Sequence, residues 1–232
     1  MPRMPLHEEH LPQELPDAPL ALVSDWLDQA TRARIQPNAN AMVLATVDAR
    51  GAPAARVVLC KQIRSDAGHI TFFTNYQSRK GEELAGNPRA AAVMLWDALY
   101  RQVRIEGRVT FASAAESDAY FQSRPWQSRV GAWASRQSAP LPSRAGLEQA
   151  VESAAQRFHV PSPLEGDDAA PDLGYSIPRP PHWGGYHLWV DAVELWVAGA
   201  ARLHDRARWT RTLAPDGDGF KGSPWSKMRL QP

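Results

Sequence analysis

AMVLATVDARGAPAARVVLCKQIRSDAGHITFFTN, residues 41–75, decides the fold. Three runs in it, AMVLATVD, ARVVLCKQI and HITFFTN, are rich in β-branched or aromatic residues, and DARGAP and RSDAGH separate them with turn chemistry. Links this short join antiparallel strands, because a parallel crossover needs roughly a dozen residues and usually a helix. The stretch predicts an antiparallel meander and excludes βαβ units.

Outward from it, SRKGEELAGNP predicts a short helix, with Ser78 as N-cap and Asn87-Pro88 as its stop. AAAVMLWD and YRQVRIEGRVTFA read as a hairpin joined around Asp97–Leu99, and Val103 and Ile105 alternate with Gln102, Arg104 and Glu106 as in a strand with one wet face. Upstream, Asp17 and Pro19 open a helix to about Ile35, with Leu22, Trp26, Leu27 and Ala30 at helical spacing. Residues 114–158 predict helices in AAESDAYFQS, QSRVGAWAS and RAGLEQAVESAAQRF; strand character returns in YHLWVDAVELWVAG, ARLHDRARWTR and WSKMRL. The sum is six to eight strands with helices on the flanks, a mainly β (α+β) antiparallel barrel. Residues 1–18 read as a flexible arm, 19–232 as a single domain, and the Pro-rich stretch 161–181 as an exposed loop insertion.

Composition narrows the function. With 26 Lys+Arg against 25 Asp+Glu the net charge is +1, which gives no general field for nucleic acid or an anionic membrane. An anion site must therefore be built locally. The single cysteine, Cys60, excludes an intrachain disulfide and suits a reducing compartment, and there is no apolar run of the ~20 residues that a membrane span needs. A cytoplasmic protein is expected. The seven histidines show no metal-ligand spacing, and P-loop, GxGxxG and GxSxG motifs are absent, so no metal is expected.

What remains is cations and hydroxyls on strands and at helix starts. Arg56 and Lys61 stand five apart in RVVLCK, on opposite faces of one strand, and share a site only through a bulge or if Lys61 reaches from a strand end. FFTNYQSRK puts Arg79 and Lys80 in the first turn of a helix, where unpaired N–H groups also favour an anion. Tyr120, Arg124 and Ser128 are spaced by four, as on one helix face, although Pro125 makes a turn at a helix end an equal reading. In RLHDR, Arg202 and His204 lie two apart and share a strand face that Arg206 continues.

RVVLCK, FFTNYQSRKGEEL, RQVRIEG, YFQSRPWQSRVGAWASRQS, WGGY, VELW and RLHDR occur in the order found in pyridoxamine/pyridoxine 5′-phosphate oxidases, and the chain resembles that family from about Pro19 to Arg211. The resemblance implies an FMN-binding split barrel, a Greek-key β-barrel acting as a homodimer with FMN at the subunit interface. It implies FMN contacts at Arg56, Lys61, Phe73, Thr74, Arg79, Lys80, Gln102, Gln137, Ser138, Trp196 and Arg206. Lys61, Tyr120, Arg124 and Ser128 match the group that holds the substrate phosphate, and Arg202 and His204 match the catalytic pair against the pyridine ring. Drawing residues from both chains removes the parity problem of Arg56 and Lys61.

The activity so implied is oxidation of pyridoxamine or pyridoxine 5′-phosphate to pyridoxal 5′-phosphate, with hydride passing to FMN and O2 as acceptor giving H2O2. A related oxidase of another ring, such as a phenazine precursor, or a non-catalytic flavin binder are the alternatives; the retained YFxSRP and RLHDR residues count against both. Four departures from the family stand out: the long stretch LEGDDAAPDLGYSIPRP (164–180), Trp126 beside the phosphate group, Cys60 at an aliphatic position, and Phe73 where Tyr is frequent.

Overall fold

A computed structural model describes residues 9–164 and 173–232. The strands are β1 (Ala41–Val47), β2 (Pro53–Leu59), β3 (Gln62–Arg64), β4 (His69–Asn75), β5 (Arg89–Trp96), β6 (Arg101–Phe111), β7 (Trp183–Val197), β8 (Asp205–Thr210), β9 (Leu213–Asp216), β10 (Gly219–Gly222) and β11 (Ser226–Leu230). The helices are α1 (Pro19–Arg32), α2 (Arg79–Gly86), α3 (Ala114–Gln122), α4 (Trp126–Ala134) and α5 (Arg144–Arg157). Nine strands form one sheet with the order β11-β8-β7-β6-β5-β1-β2; β4 pairs with β7 and β3, and β9-β10 is a separate hairpin. The fold is mainly β, with antiparallel pairing of β1 with β2 and β5, β3 with β4, β5 with β6, β7 with β8, β8 with β11 and β9 with β10, and with helices on its flanks.

The expected meander is corrected at one point. ARVVLCKQI is two strands, because Cys60 N–H donates to Asn40 O (2.9 Å) while Lys61 N–H donates to Thr71 O (2.8 Å). Successive amides point to opposite sides of an extended chain, so here the segment leaves β1 and joins β4. β4 therefore lies beside β3 and β7 and not beside β2. This split and the C-terminal β9-β10 hairpin raise the strand number above the six to eight expected.

The chain divides into two compact units. The first holds the described part of the chain up to Phe72, Asn87–Thr110 and His187–Pro232. Its core includes Trp96 and Trp209, both fully buried. Each indole satisfies its N–H on a backbone carbonyl, Trp96 on Ala39 O (2.7 Å) and Trp209 on Pro16 O (2.8 Å). A buried aromatic side chain of ~150–250 Å² contributes about 4–6 kcal/mol at ~25 cal/mol per Å². The α1 stripe that enters this core is Leu20, Val23, Trp26 and Ala30, with Leu22 and Leu27 only half-buried. Gly107 in β6 has a packing reason: a Cβ there would overlap the Trp189 carbonyl.

The expected arm is described only from residue 9; residues 1–8 lie outside the described residues. Residues 9–17 are held rather than loose. Leu11 N–H donates to Asp205 Oδ2 (2.9 Å), and Leu11 is 4% exposed. Arg229 donates to Pro12 O (2.8 Å), Lys227 to Leu15 O (2.6 Å), and Glu9 pairs with Arg101.

The second unit holds Phe73–Gly86 and the described part of Phe111–Tyr186. Phe121, Trp126, Val130, Ala154, Ala155, Ile177 and Trp183 form its core. Ser113 caps α3 by accepting from Glu116 N–H (3.1 Å), and Ser143 caps α5 by accepting from Gly146 N–H (3.1 Å). Of the expected loop insertion, residues 165–172 lie outside the described residues; on its described flank, Ile177 is buried.

Candidate functional site

Two groups of site residues emerge, one in each unit. In the second unit, β4 ends at Phe73, Thr74 and Asn75, and the chain turns into α2. Asn75 Oδ1 accepts from Gln77 N–H (2.8 Å) and fixes that turn. Ser78, the expected cap, uses its hydroxyl to donate to Asn75 O (2.7 Å) and to accept from Lys80 Nζ (2.9 Å). Lys80 is 8% exposed, and its ammonium also donates to Gln137 Oε1 (2.6 Å), which accepts from Thr74 Oγ1 (3.3 Å) as well. Thus Thr74, Lys80 and Gln137, distant in sequence, form one cluster. Ser138 follows with φ of +72°, an uncommon conformation for a residue with a Cβ. Arg79 turns outward to Glu83 (2.8 Å).

Beside this cluster stands an aromatic stack. The Phe73 and Tyr120 rings lie 3.9 Å apart at 17°, and Trp183 lies parallel to Tyr120 at 6.1 Å. The Arg124 guanidinium sits over Trp183 at 4.7 Å and over Phe121 at 5.5 Å. Its Nη1 is buried and has no hydrogen-bond partner among the described residues. Burial holds the Arg124 pKa below its ordinary value, with Tyr120 acting the other way and Arg129 adding to the depression. A cation with one buried, unanswered donor is matched to an anion. Of the two readings of Tyr120, Arg124 and Ser128, the turn holds: α3 ends at Gln122 and α4 begins after Pro125, so Arg124 projects from the corner and the exposed Ser128 belongs to the next helix.

In the first unit, Gln102, Trp196 and Arg206 stand on the neighbouring strands β6, β7 and β8, with Trp196 directly opposite Arg206. Glu194, two residues before Trp196 and therefore on its face, is 5% exposed. Its Oε1 accepts from Arg206 Nε (3.0 Å) and Nη2 (2.7 Å), and its Oε2 accepts from Arg104 Nη1 (3.3 Å). Arg56 stays on β2, bonded to Thr46 Oγ1 and to Leu44 O (3.3 Å). Lys61 lies after the end of β2 and lines a cavity of about 740 Å³ with Arg34, Asn38 and Cys60. Burial pushes the Cys60 thiol up to about 12, so it is an inert core group.

The reading of RLHDR as one strand face is corrected. β8 begins only at Asp205; Arg202 lies in a 3-10 turn, Ala200–Arg202, and His204 in the link after it. Ala201 and Arg202 have φ of +52° and +64°, which takes the chain out of extended geometry and removes the shared face. The turn presents Arg202 to solvent and returns His204 under the strand end, where Nδ1 accepts from Gly199 N–H (3.2 Å). The His204 ring packs on Trp196 at 4.6 Å. Nδ1 as an acceptor leaves the proton of the neutral ring on Nε2.

Sequence reasoning missed Ser78's bond to Lys80 and the pairing of Glu194 with Arg206 and Arg104. For Glu194 a signal was there: an acid between Val193 and Leu195, which are both fully buried, faces away from the core toward the RxR pattern of Arg206 and Arg208.

Comparison with known proteins agrees over most of the chain. A family model described as pyridoxamine 5′-phosphate oxidase matches residues 27–158, and one described as the pyridoxine 5′-phosphate oxidase C-terminal dimerisation region matches 183–232. The pyridoxine/pyridoxamine 5′-phosphate oxidase of Cupriavidus necator is 49% identical, covering 92% of this chain and 89% of its own length. That of Bordetella petrii is 48% identical, covering 93% and 90%. Among solved structures, PhzG from Burkholderia lata, in complex with tetrahydrophenazine-1-carboxylic acid, superposes with a TM-score of 0.76 at 28% identity over 94% of each chain. A pyridoxamine 5′-phosphate oxidase-related FMN-binding protein from Nostoc punctiforme has a TM-score of 0.65 at 19% identity, covers 91% of this chain and 96% of its own, and shares the fold.

Proposed function

Since the chain belongs to the pyridoxamine 5′-phosphate oxidase family, we propose that it oxidises pyridoxamine 5′-phosphate and pyridoxine 5′-phosphate to pyridoxal 5′-phosphate. Bound FMN would supply the hydride acceptor, with O2 as the final oxidant giving H2O2; with the amine substrate, water would replace the nitrogen, which leaves as ammonia. We treat residues 19–232 as one FMN-binding domain.

The observation that carries the reading is the buried, unanswered Nη1 of Arg124, fixed over Trp183 beside Tyr120. It fits a substrate that brings its own phosphate. We assign that phosphate to Tyr120, Arg124 and Ser128, with Lys61 as a further cation. Charge-assisted bonds there would hold the substrate's ring at one height. Arg202 and His204 are assigned to that ring. His204, oriented by Gly199 N–H and Trp196, would offer its Nε2 proton to a ring substituent.

The residues present also fit the cofactor. Lys80, buried and backed by Ser78 and Gln137, is a cation held ready for a phosphate. We assign FMN binding to it with Arg56, Lys61, Phe73, Thr74, Arg79, Gln102, Gln137, Ser138, Trp196 and Arg206. The match to a C-terminal dimerisation region makes a homodimer the assembly that fits, with FMN at its interface. Val43, Val57 and Leu95, 42%, 66% and 51% exposed, would be covered by such a partner. No described helix is long and apolar enough to cross a membrane, and we place the enzyme in the cytoplasm.

The likeness to PhzG favours a second reading, a phenazine-type ring as substrate. Adding pyridoxine 5′-phosphate to the yellow protein without oxygen separates the two. Bleaching of the flavin band, then its return in air with pyridoxal 5′-phosphate and peroxide, is expected. A flavin that stays oxidised with this substrate but bleaches with a reduced phenazine carboxylate would give the site to the second reading.

A further inference from the structure

Glu194 has no role in the assignments above, yet it is the most enclosed acid on the β6-β7-β8 face. In an antiparallel pair the residue directly opposite is the usual side-chain partner. Opposite Glu194 stands Arg208. Glu194 passes it over: it takes Arg206 through two N–H groups and Arg104 through a third, while Arg208 pairs with Glu106 (3.1 Å). Arg206 Nη1 then donates to Gln231 O (2.9 Å). A guanidinium has five N–H donors, so three are spent within the chain and two, one on each terminal nitrogen, have no partner among the described residues. The planar fork is thus held by its Nε side and by one edge, with the remaining donors in a fixed direction.

We propose that Glu194 is a positioning residue for the cofactor site: it locks the Arg206 fork so that its two remaining N–H groups meet FMN without a search through rotamers. The inference rests on the assignment of Arg206 to FMN. Arg104 is its counterweight. A buried carboxylate with one arginine would pull that arginine inward, whereas here Arg104 shares the charge from the β6 side and leaves Arg206 at its edge. Glu106, 31% exposed at its side chain, is engaged with Arg104 and Arg208 and makes no bond to Arg206, so it serves as the control for losing a carboxylate charge on this face.

The test is FMN release from the purified holoprotein on dilution, read as the rise of flavin fluorescence, together with thermal melting. Glu194→Gln keeps the shape and removes the charge; FMN should dissociate about ten- to hundredfold more readily, by analogy with the loss of the outer partner of a metal-ligating residue. Glu106→Gln should retain FMN as the parent does. Arg206→Ala should lose FMN similarly, and adding Glu194→Gln to it should cost nothing more, because residues that act through one another are non-additive. Full additivity, or parental FMN retention in Glu194→Gln, would overturn the proposal. Glu194→Asp covers the case where the glutamine variant fails to fold. It keeps the charge and draws the oxygens back by one methylene, so parental FMN retention there would equally overturn the lock. Parental retention in Arg206→Ala alone would instead remove Arg206 from the cofactor site, and the premise with it.

Discussion

Replacing Arg124 by Met separates a ligand-binding arginine from a structural one. The stem that lies on Trp183 is largely kept, while the charge and the buried Nη1 are removed. On the folding side two effects oppose each other. A buried unsatisfied donor costs ~1–3 kcal/mol, which the variant recovers. Guanidinium–ring attraction of ~0.5–2 kcal/mol is lost. The net change runs from about 1 kcal/mol lost to about 2.5 kcal/mol gained, so at ~2–4 °C per kcal/mol for a chain of this size the melting temperature falls by no more than several degrees. On the binding side nothing offsets the loss. A hydrogen bond to a charged group is worth ~1.5–3 kcal/mol, so KM for pyridoxine 5′-phosphate should rise about 10- to 150-fold. Initial rates over substrate concentration give KM, and melting curves with and without inorganic phosphate give an independent reading. Phosphate should stabilise the parent and leave the variant unmoved. An unchanged KM together with a fall in melting temperature of more than ~8 °C would show Arg124 to be a packing residue and refute the argument.

Three further outcomes follow from other parts of the molecule. Lys80→Met, which removes the buried ammonium between Ser78 and Gln137, should weaken FMN retention by about tenfold or more, measured by ultrafiltration; full flavin occupancy after dilution would take Lys80 out of the cofactor site. Gly185→Ala would bring a Cβ to 2.7 Å from Phe73 Cε1 and 2.8 Å from Ala112 Cβ, so overpacking of ~1–3 kcal/mol should lower the melting temperature, and an unchanged value would deny that close approach. His69 is held down to about 4 from 6.5, by burial first and then by His187 and Arg64. As pH falls below 6.5 the unfolded chain takes the proton before the folded one, so stability is lost between pH 6.5 and 4. His69→Phe should flatten that part of the melting-temperature profile, and a profile parallel to the parent's would count against the burial.

Much of the architecture was legible because local chemistry settles it. Turn residues at DARGAP, Asp97–Leu99 and Asn87-Pro88, period-two alternation in β6, and Pro125 between two helical patterns each act over a few residues, and the structure places the elements accordingly. The break inside ARVVLCKQI was not legible. Nothing in its composition marks it; Asn40 and Thr71 mark it by accepting the amides of Cys60 and Lys61. The non-strand shape of the Arg202–His204 link was equally hidden, since Ala201 and Arg202 carry no glycine-like signal for positive φ.

The site divides along the same line. By itself the sequence determined which side chains are available to carry the proposed chemistry, and in which order, since residue type and motif spacing are properties of the chain alone. Only the tertiary structure decided which of them meet. Thr74, Lys80 and Gln137 converge because a strand end, a helix start and the link after α4 are packed together. Glu194 takes Arg206 and not Arg208 because three strands set the reach of each side chain across one face. Pairing of this kind depends on distances through space, and a linear sequence does not contain them until the backbone has been folded by its core.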